Sequence, residues 1–187
     1  MSLYISKFGL CTNGDPDKSL PPQNTFFSSI YSGITSMIGM FTVLIIEYKT
    51  DFTLVAASFG ASAVLLFNAY NVPFSQPRNV IGGQVLSSIV GCSCRALFML
   101  DDGKYFYKPL VGSLSVGFSI FLMDITRTTH PPGAATALIA VVGSQEVLDM
   151  GFMFMIYPVL TGISLLTFIA LLTNNFLTDR KYPNYWV

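Results

Sequence analysis

The side chains of this chain that could do chemistry gather in one stretch, Asp124-Ile125-Thr126-Arg127-Thr128-Thr129-His130-Pro131-Pro132-Gly133-Ala134-Ala135-Thr136. Arg127 brings a guanidinium with fixed donors, Thr128 and Thr129 bring hydroxyls, and His130 brings an imidazole that titrates near neutral pH. Pro131 can open a helix without losing a hydrogen bond, because the first N–H of a helix has no intrahelical partner. Gly133 and the alanines after it let another backbone or a small ligand come close. A helix start whose N–H groups and positive dipole end lie beside a cation is the outline of an anion site. The plainer alternative is that Thr129 or His130 caps the helix while Arg127 pairs with Asp124 or sits at a membrane surface. A second cluster, Ser75-Gln76-Pro77-Arg78-Asn79, precedes Gly82-Gly83-Gln84 and again sets a helix start beside an arginine. Arg78 and Asn79 would join Arg127 on one ligand, or Arg78 would simply anchor the chain at an interface. Gln84, one turn into its helix, would line a pathway or bridge helices by hydrogen bonds.

The elements that must position these groups belong to a membrane protein. Of 187 residues, 52% are hydrophobic and 11% charged, against about 25% charged in soluble domains, so lipid is the solvent for most of the chain. Ten Lys and Arg balance ten Asp and Glu, which removes the electrostatic case for nucleic acid. The sequence predicts an all-α polytopic protein of about six transmembrane or partly re-entrant helices, over residues 27–46, 52–69, 80–100, 106–123, 131–142 and 152–174. Residues 1–25 read as a short N-terminal tail without a signal or transit peptide, 26–176 as one transmembrane domain, and 177–187 as an interfacial tail of basic and aromatic residues.

Residues 131–142 fall below the about 20 that a bilayer needs, which leaves a re-entrant or discontinuous helix open for this segment, while the placement of charge favours six crossings over five. If all six segments cross, Lys7, Lys18, Arg78, Arg127, Arg180 and Lys181 share one side. The positive-inside rule then places both termini on the cytoplasmic, stromal or matrix side. A shift of 73 positions superposes Gly39 on Gly112, Asp51 on Asp124 and Gly60-Ala61 on Gly133-Ala134, a faint repeat that would make two inverted three-helix halves. It also sets His130-Pro131-Pro132 opposite Ala57-Ser58-Phe59, inside the second segment. Arg95 is expected to snorkel to the opposite interface. Cys11, Cys92 and Cys94 read as reduced residues, and no metal or other cofactor is expected.

The stretch Thr128 to Ala140 resembles the signature of the HPP integral membrane family, named for its His-Pro-Pro. Gly60-Ala61-Ser62-Ala63-Val64-Leu65-Leu66-Phe67, Gln76-Pro77-Arg78-Asn79-Val80-Ile81-Gly82-Gly83 and Tyr182-Pro183-Asn184-Tyr185-Trp186 follow the family's order. The resemblance implies functional positions at Arg78, Asn79, Arg127, His130, Pro131 and Pro132. It also implies a small monovalent anion, because plastid members are associated with nitrite transport. Two departures are visible: Gly133-Ala134-Ala135 replaces the frequent Ala-Gly-Ala, and Gln84 stands where the family often has His. No soluble regulatory domain is expected after the membrane part.

The leading expectation is a non-enzymatic transporter or channel for a nitrite-like anion, with Arg127, Thr128, Thr129, His130, Pro131, Gly133, Arg78, Asn79 and Gln84 forming the binding site. His130 would couple anion to proton. The rival is a structural subunit of a larger organellar membrane complex. An intramembrane enzyme lacks a second histidine or a nucleophile–base pair. The expected partners are the lipid bilayer, the anion, and either a second copy or other membrane subunits. The expected membrane is an organellar inner membrane, plastid or mitochondrial, or a bacterial-type plasma membrane.

Overall fold

The computed structural model describes residues 25–48, 55–98, 107–176 and 180–186. The expectations for Cys11, for Asp51 and for nearly all of the N-terminal tail lie outside the described residues. The described chain is all-helical. Helix α1 is Phe26–Tyr48, and α2 is Val55–Ala63, running on through a π-helical turn, Val64–Asn68. A short 3₁₀ turn, Pro73–Ser75, leads into α3, Pro77–Phe98. Then come α4 (Lys108–Ile125), α5 (Pro131–Val142), the short α6 (Gln145–Met150), a π-helical turn over Met155–Leu160, and α7 (Thr161–Asn174).

Four spans, Phe26–Ile46, Pro77–Phe98, Lys108–Ile125 and Met155–Asn174, are long and apolar enough to cross a membrane, and Ala57–Asn68 and Pro131–Val142 are shorter apolar helices. The expected all-α polytopic membrane fold of about six helices is therefore present. Its surface fits lipid: Phe27, Met37, Phe41, Leu110 and Phe121 are all more than half exposed, which water would penalise and a bilayer does not.

Two segments differ from the expectation. The second is as interrupted as the fifth, because the chain leaves the helix at Asn68 and turns through a loop holding Pro73 before Pro77 opens the next helix. A helix that ends inside the protein frees carbonyls that need donors. Here Asn174 Nδ2 reaches Leu66 O at 2.8 Å and Arg180 Nη1 reaches Phe67 O at 3.0 Å. The last segment is broken at Tyr157, whose φ of −134° and ψ of 123° are not helical. The cause is Pro158, whose ring disfavours helical geometry in the residue before it.

The centre of the molecule is the packing of α3 on α5. The inner side of α3 is small and polar, with Asn79, Gly83, Gln84, Ser87, Ser88 and Gly91 buried. In lipid, helices gain little from burying Leu against Leu, and close approach through small residues takes over. Gly83 and Gly133 set that approach. A Cβ on Gly83 would lie 2.6 Å from His130 Cβ and 2.7 Å from Thr128 O, and one on Gly133 would lie 2.7 Å from Ser87 Oγ and 2.9 Å from Gly83 O. At the far end of α3, Arg95 does not turn outward alone, as snorkelling would have it. It donates to Leu148 O, a carbonyl at the end of α6 that also accepts the Gly151 N–H. Cys92 and Cys94 are reduced and buried, as expected.

Candidate functional site

His130 is the residue just before α5, and it is completely buried. Its Nδ1 lies 2.8 Å from Phe74 O, in the loop that follows α2. A carbonyl can only accept, so Nδ1 carries the hydrogen and donates. Nε2 lies 2.8 Å from Ser62 Oγ on α2 and, in the Nδ1–H tautomer, accepts the serine hydroxyl. The imidazole thus bridges the loop where one interrupted helix ends and the face of that same helix, from the point where the other interrupted helix begins.

Gln84 continues the network from α3. Its Nε2 donates to Ser58 Oγ at 2.9 Å and Ser62 Oγ at 3.1 Å, while its Oε1 accepts the Thr136 hydroxyl. Ser58 Oγ is 2.9 Å from Pro132 O, to which it donates, and 2.7 Å from Thr136 Oγ1. Ser58, Ser62, Gln84, His130 and Thr136 are all buried. They make one neutral polar network across α2, α3 and α5 in an otherwise apolar interior. Because the chain contains one histidine, protein labelled with [15N]histidine gives a spectrum of this site alone. It should show a protonated Nδ1 and a bare Nε2, and a bare Nδ1 would sink the network as drawn.

The other predicted residues fall into two further layers. Asn79 is buried and donates to Thr129 O at 3.0 Å, fixing the residue that precedes His130. Further out, Arg78 Nη2 donates to Thr126 O at 3.1 Å, and the Thr126 and Thr128 hydroxyls share a hydrogen bond at 2.7 Å. Arg127 is exposed. Gln84, His130 and Gly133 therefore come together inside, Asn79 and Thr129 lie next to them, and Arg78, Arg127 and Thr128 form a rim. Pro131 is exposed on the turn.

The helix start supplies fewer donors than expected. Pro131 and Pro132 have no N–H, and the Gly133 N–H is taken by His130 O at 2.8 Å. What remains of the anion outline is the dipole of α5 and the side-chain donors around it.

Ser58 and Ser62 were given no role by the sequence, and Thr136 was only the last residue of the chemistry-bearing stretch, outside the nine predicted site residues. For the serines the signal was spacing: Ser58 and Ser62 are four apart, hence on one helical face. Arg180 was missed more completely. Taken as part of an interfacial anchor, it is only 6% exposed. Its Nη1 donates to Phe67 O and to Asn174 Oδ1 at 3.1 Å, and its Nη2 lies 2.8 Å from Ser28 Oγ and 2.9 Å from Ser32 Oγ. Tyr31 and Tyr70 stack on it at 5.1 and 4.9 Å. The cation is held by the carbonyl end of the α2 extension and by ring faces, both of which favour positive charge. Tyr182, also buried, donates its hydroxyl to Ser75 O at 2.7 Å. Burial pushes its phenol well above the usual range, so it keeps that hydrogen at any ordinary pH.

Among the described residues, no group of three or more His, Cys, Asp or Glu side chains could hold a metal ion. No solved structure matches the chain. Two proteins of Dictyostelium discoideum, each named a transmembrane protein, are similar to it. One is 33% identical over 190 residues, covering 100% of this chain and 65% of its own length. The other is 34% identical over 160 residues, covering 83% of this chain and 50% of its own length. The chain thus spans between half and two thirds of the length of these relatives. The profile of the HPP transmembrane region matches residues 21–183, which include the His-Pro-Pro turn, its serine and glutamine partners on α2 and α3, and the Arg180 anchor. The chain belongs to the HPP transmembrane family, and its long apolar helices are those of an integral membrane protein.

Proposed function

We propose that this chain carries a small monovalent anion of the nitrite class across a membrane, with the rim of Arg78, Arg127 and Thr128 gathering the anion above the His130 network. The observation that carries the reading is the network itself. Five neutral polar side chains, all buried, join the end of one interrupted helix to the start of another. Polar groups are expensive inside a bilayer and mark pathways there, and broken helices at depth are the usual place for a transported ion. The rim adds a second sign. Arg127 has a φ of 55°, a conformation that costs a non-glycine residue about 1 kcal/mol and is kept where the side chain has a use.

In this reading all six helices cross or enter the bilayer as two inverted halves, residues 26–176 form the carrier, and His130 exchanges a protein partner for the anion or its proton. For that, either Phe74 O or Ser62 must let go of the imidazole. The closed state of the network also supports a second reading, an accessory subunit in which the same bonds only hold helices together.

Anion uptake into proteoliposomes separates the two. Arg127→Gly is the variant of choice, since it removes the charge while glycine accepts the turn without strain. We expect selective nitrite or formate flux from the unaltered protein and about a tenfold or greater loss in Arg127→Gly and in His130→Ala, the effect of removing one strong charged or hydrogen-bonded contact. Flux that survives in both folded variants would remove the site assignment. A folded protein without any flux would favour the accessory subunit.

A further inference from the structure

The segment that follows α7 touches the candidate site by two routes. Along the first, Tyr182 donates to Ser75 O at 2.7 Å and the Asn184 N–H donates to Gln76 Oε1 at 2.8 Å. Ser75 and Gln76 are themselves tied into the loop, through Ser75 Oγ to Tyr70 O at 2.8 Å and Gln76 Nε2 to Val72 O at 3.0 Å. The carbonyl beside them in the chain, that of Phe74, is the acceptor of His130 Nδ1. Along the second route, Tyr185 Oη lies 3.4 Å from Asn79 Oδ1, and Asn79 Nδ2 holds the carbonyl of Thr129, the neighbour of His130. The segment is moored at its start by buried Arg180 and again where Asn175 binds both the N–H of Tyr182, at 3.2 Å, and its carbonyl.

A strap attached in this way has a particular character. The Tyr182 ring is packed into the apolar core, and what ties the strap to the loop beyond that packing is a set of single hydrogen bonds, each able to open alone while the ring stays seated. The loop it holds is the part that must move if His130 Nδ1 is ever to be offered to anything but Phe74 O.

We propose that residues 180–186 are a strap whose Tyr182 is a positioning residue for His130, setting how firmly the Phe74 carbonyl is kept on the imidazole. The inference rests on taking the His130 network as the site, and it does not depend on which solute, if any, crosses.

The test uses the same single-histidine label. The exchange rate of the His130 Nδ1 hydrogen with deuterated solvent is measured in the full chain, in Tyr182→Phe, in Asn184→Ala and in Trp186→Ala, alongside backbone amide exchange and thermal unfolding. Tyr182→Phe removes one hydroxyl and should quicken Nδ1 exchange about fivefold, the weight of one buried hydrogen bond, with the amides of α3 and α5 unchanged. Asn184→Ala, which gives up only a side-chain bond to Asn71 O at 3.1 Å, should quicken it about twofold. It also keeps the question decidable if Tyr182→Phe does not fold. Trp186, 59% exposed at the end of the strap, should be silent. Unchanged Nδ1 exchange in the folded variants overturns the proposal. So does a rise shared by all amides together with lower thermal stability, which would make the strap a general brace. Because flux is not the readout, a protein that transports nothing would leave this result standing.

Discussion

Gly83→Ala is expected to destabilise the protein by about 1–3 kcal/mol, the usual range for forcing an extra group into a packed interior. Taken alone, glycine to alanine within a helix should gain close to 1 kcal/mol, so the sign of the effect is itself informative. The added methyl would stand 2.6 Å from His130 Cβ and 2.7 Å from Thr128 O. Neither is the free end of a flexible side chain, so the turn carrying the imidazole must shift. Gly83→Val should fail to give folded protein. Gly33→Ala is the matched control, since nothing lies within 4 Å of its added Cβ. Thermal unfolding in detergent, read for all three beside the unaltered protein, decides the matter. A Gly83→Ala protein as stable as the Gly33→Ala one would mean that α3 and α5 do not approach as closely as described. The tautomer spectrum of Gly83→Ala should also be disturbed, because the same shift moves His130 against Ser62.

Arg180→Met should be the most damaging single change outside the helix crossings. A buried cation is normally costly, and replacing a buried ion pair by apolar residues is often harmless. Among the described residues, however, no carboxylate pairs with Arg180, and its partners are neutral acceptors. Its guanidinium is the donor for Phe67 O, Ser28 O and Asn174 Oδ1, and the methionine would leave these acceptors in an apolar interior. At about 1–3 kcal/mol for each orphaned group, two of them outweigh the relief of desolvation, giving a loss of about 3 kcal/mol or more. Arg180→Lys should recover little, because a single ammonium cannot reach acceptors spread around a planar fork, and it stacks less well on Tyr31 and Tyr70. Thermal unfolding of both variants supplies the check: a lysine protein with unaltered stability would show that charge alone suffices and that the fork geometry is irrelevant.

Much of this protein is determined by its sequence alone. The scarcity of charge dictates lipid as solvent, and the lengths of the apolar runs dictate helices, because no other open structure can satisfy its backbone there. The interruption before α5 is written in Pro131 and Pro132, which also explains why that helix is short. The chemistry-bearing turn from Arg127 to Gly133 can be found by inspection, since so few polar residues exist elsewhere.

Other features were decided only by the tertiary structure. The end of α2 at Asn68 has no proline within the helix to announce it, and it depends on Asn174 and Arg180 arriving from more than 100 residues away to receive its carbonyls. Ser58 and Ser62 look like packing residues until α2, α3 and α5 meet, because a serine in an apolar helix can always bond its own backbone. The division of eight of the nine predicted residues into an inner group, a middle layer and a rim, with Pro131 left outside them, depends on direction, and a local sequence does not encode which way a side chain at a turn points. The role of Arg180 is the sharpest case. A basic residue near aromatic ones at the end of a membrane helix has the composition of an interfacial anchor. Only the convergence of the α2 carbonyls, the α1 serines and two tyrosine rings makes a buried seat for the charge.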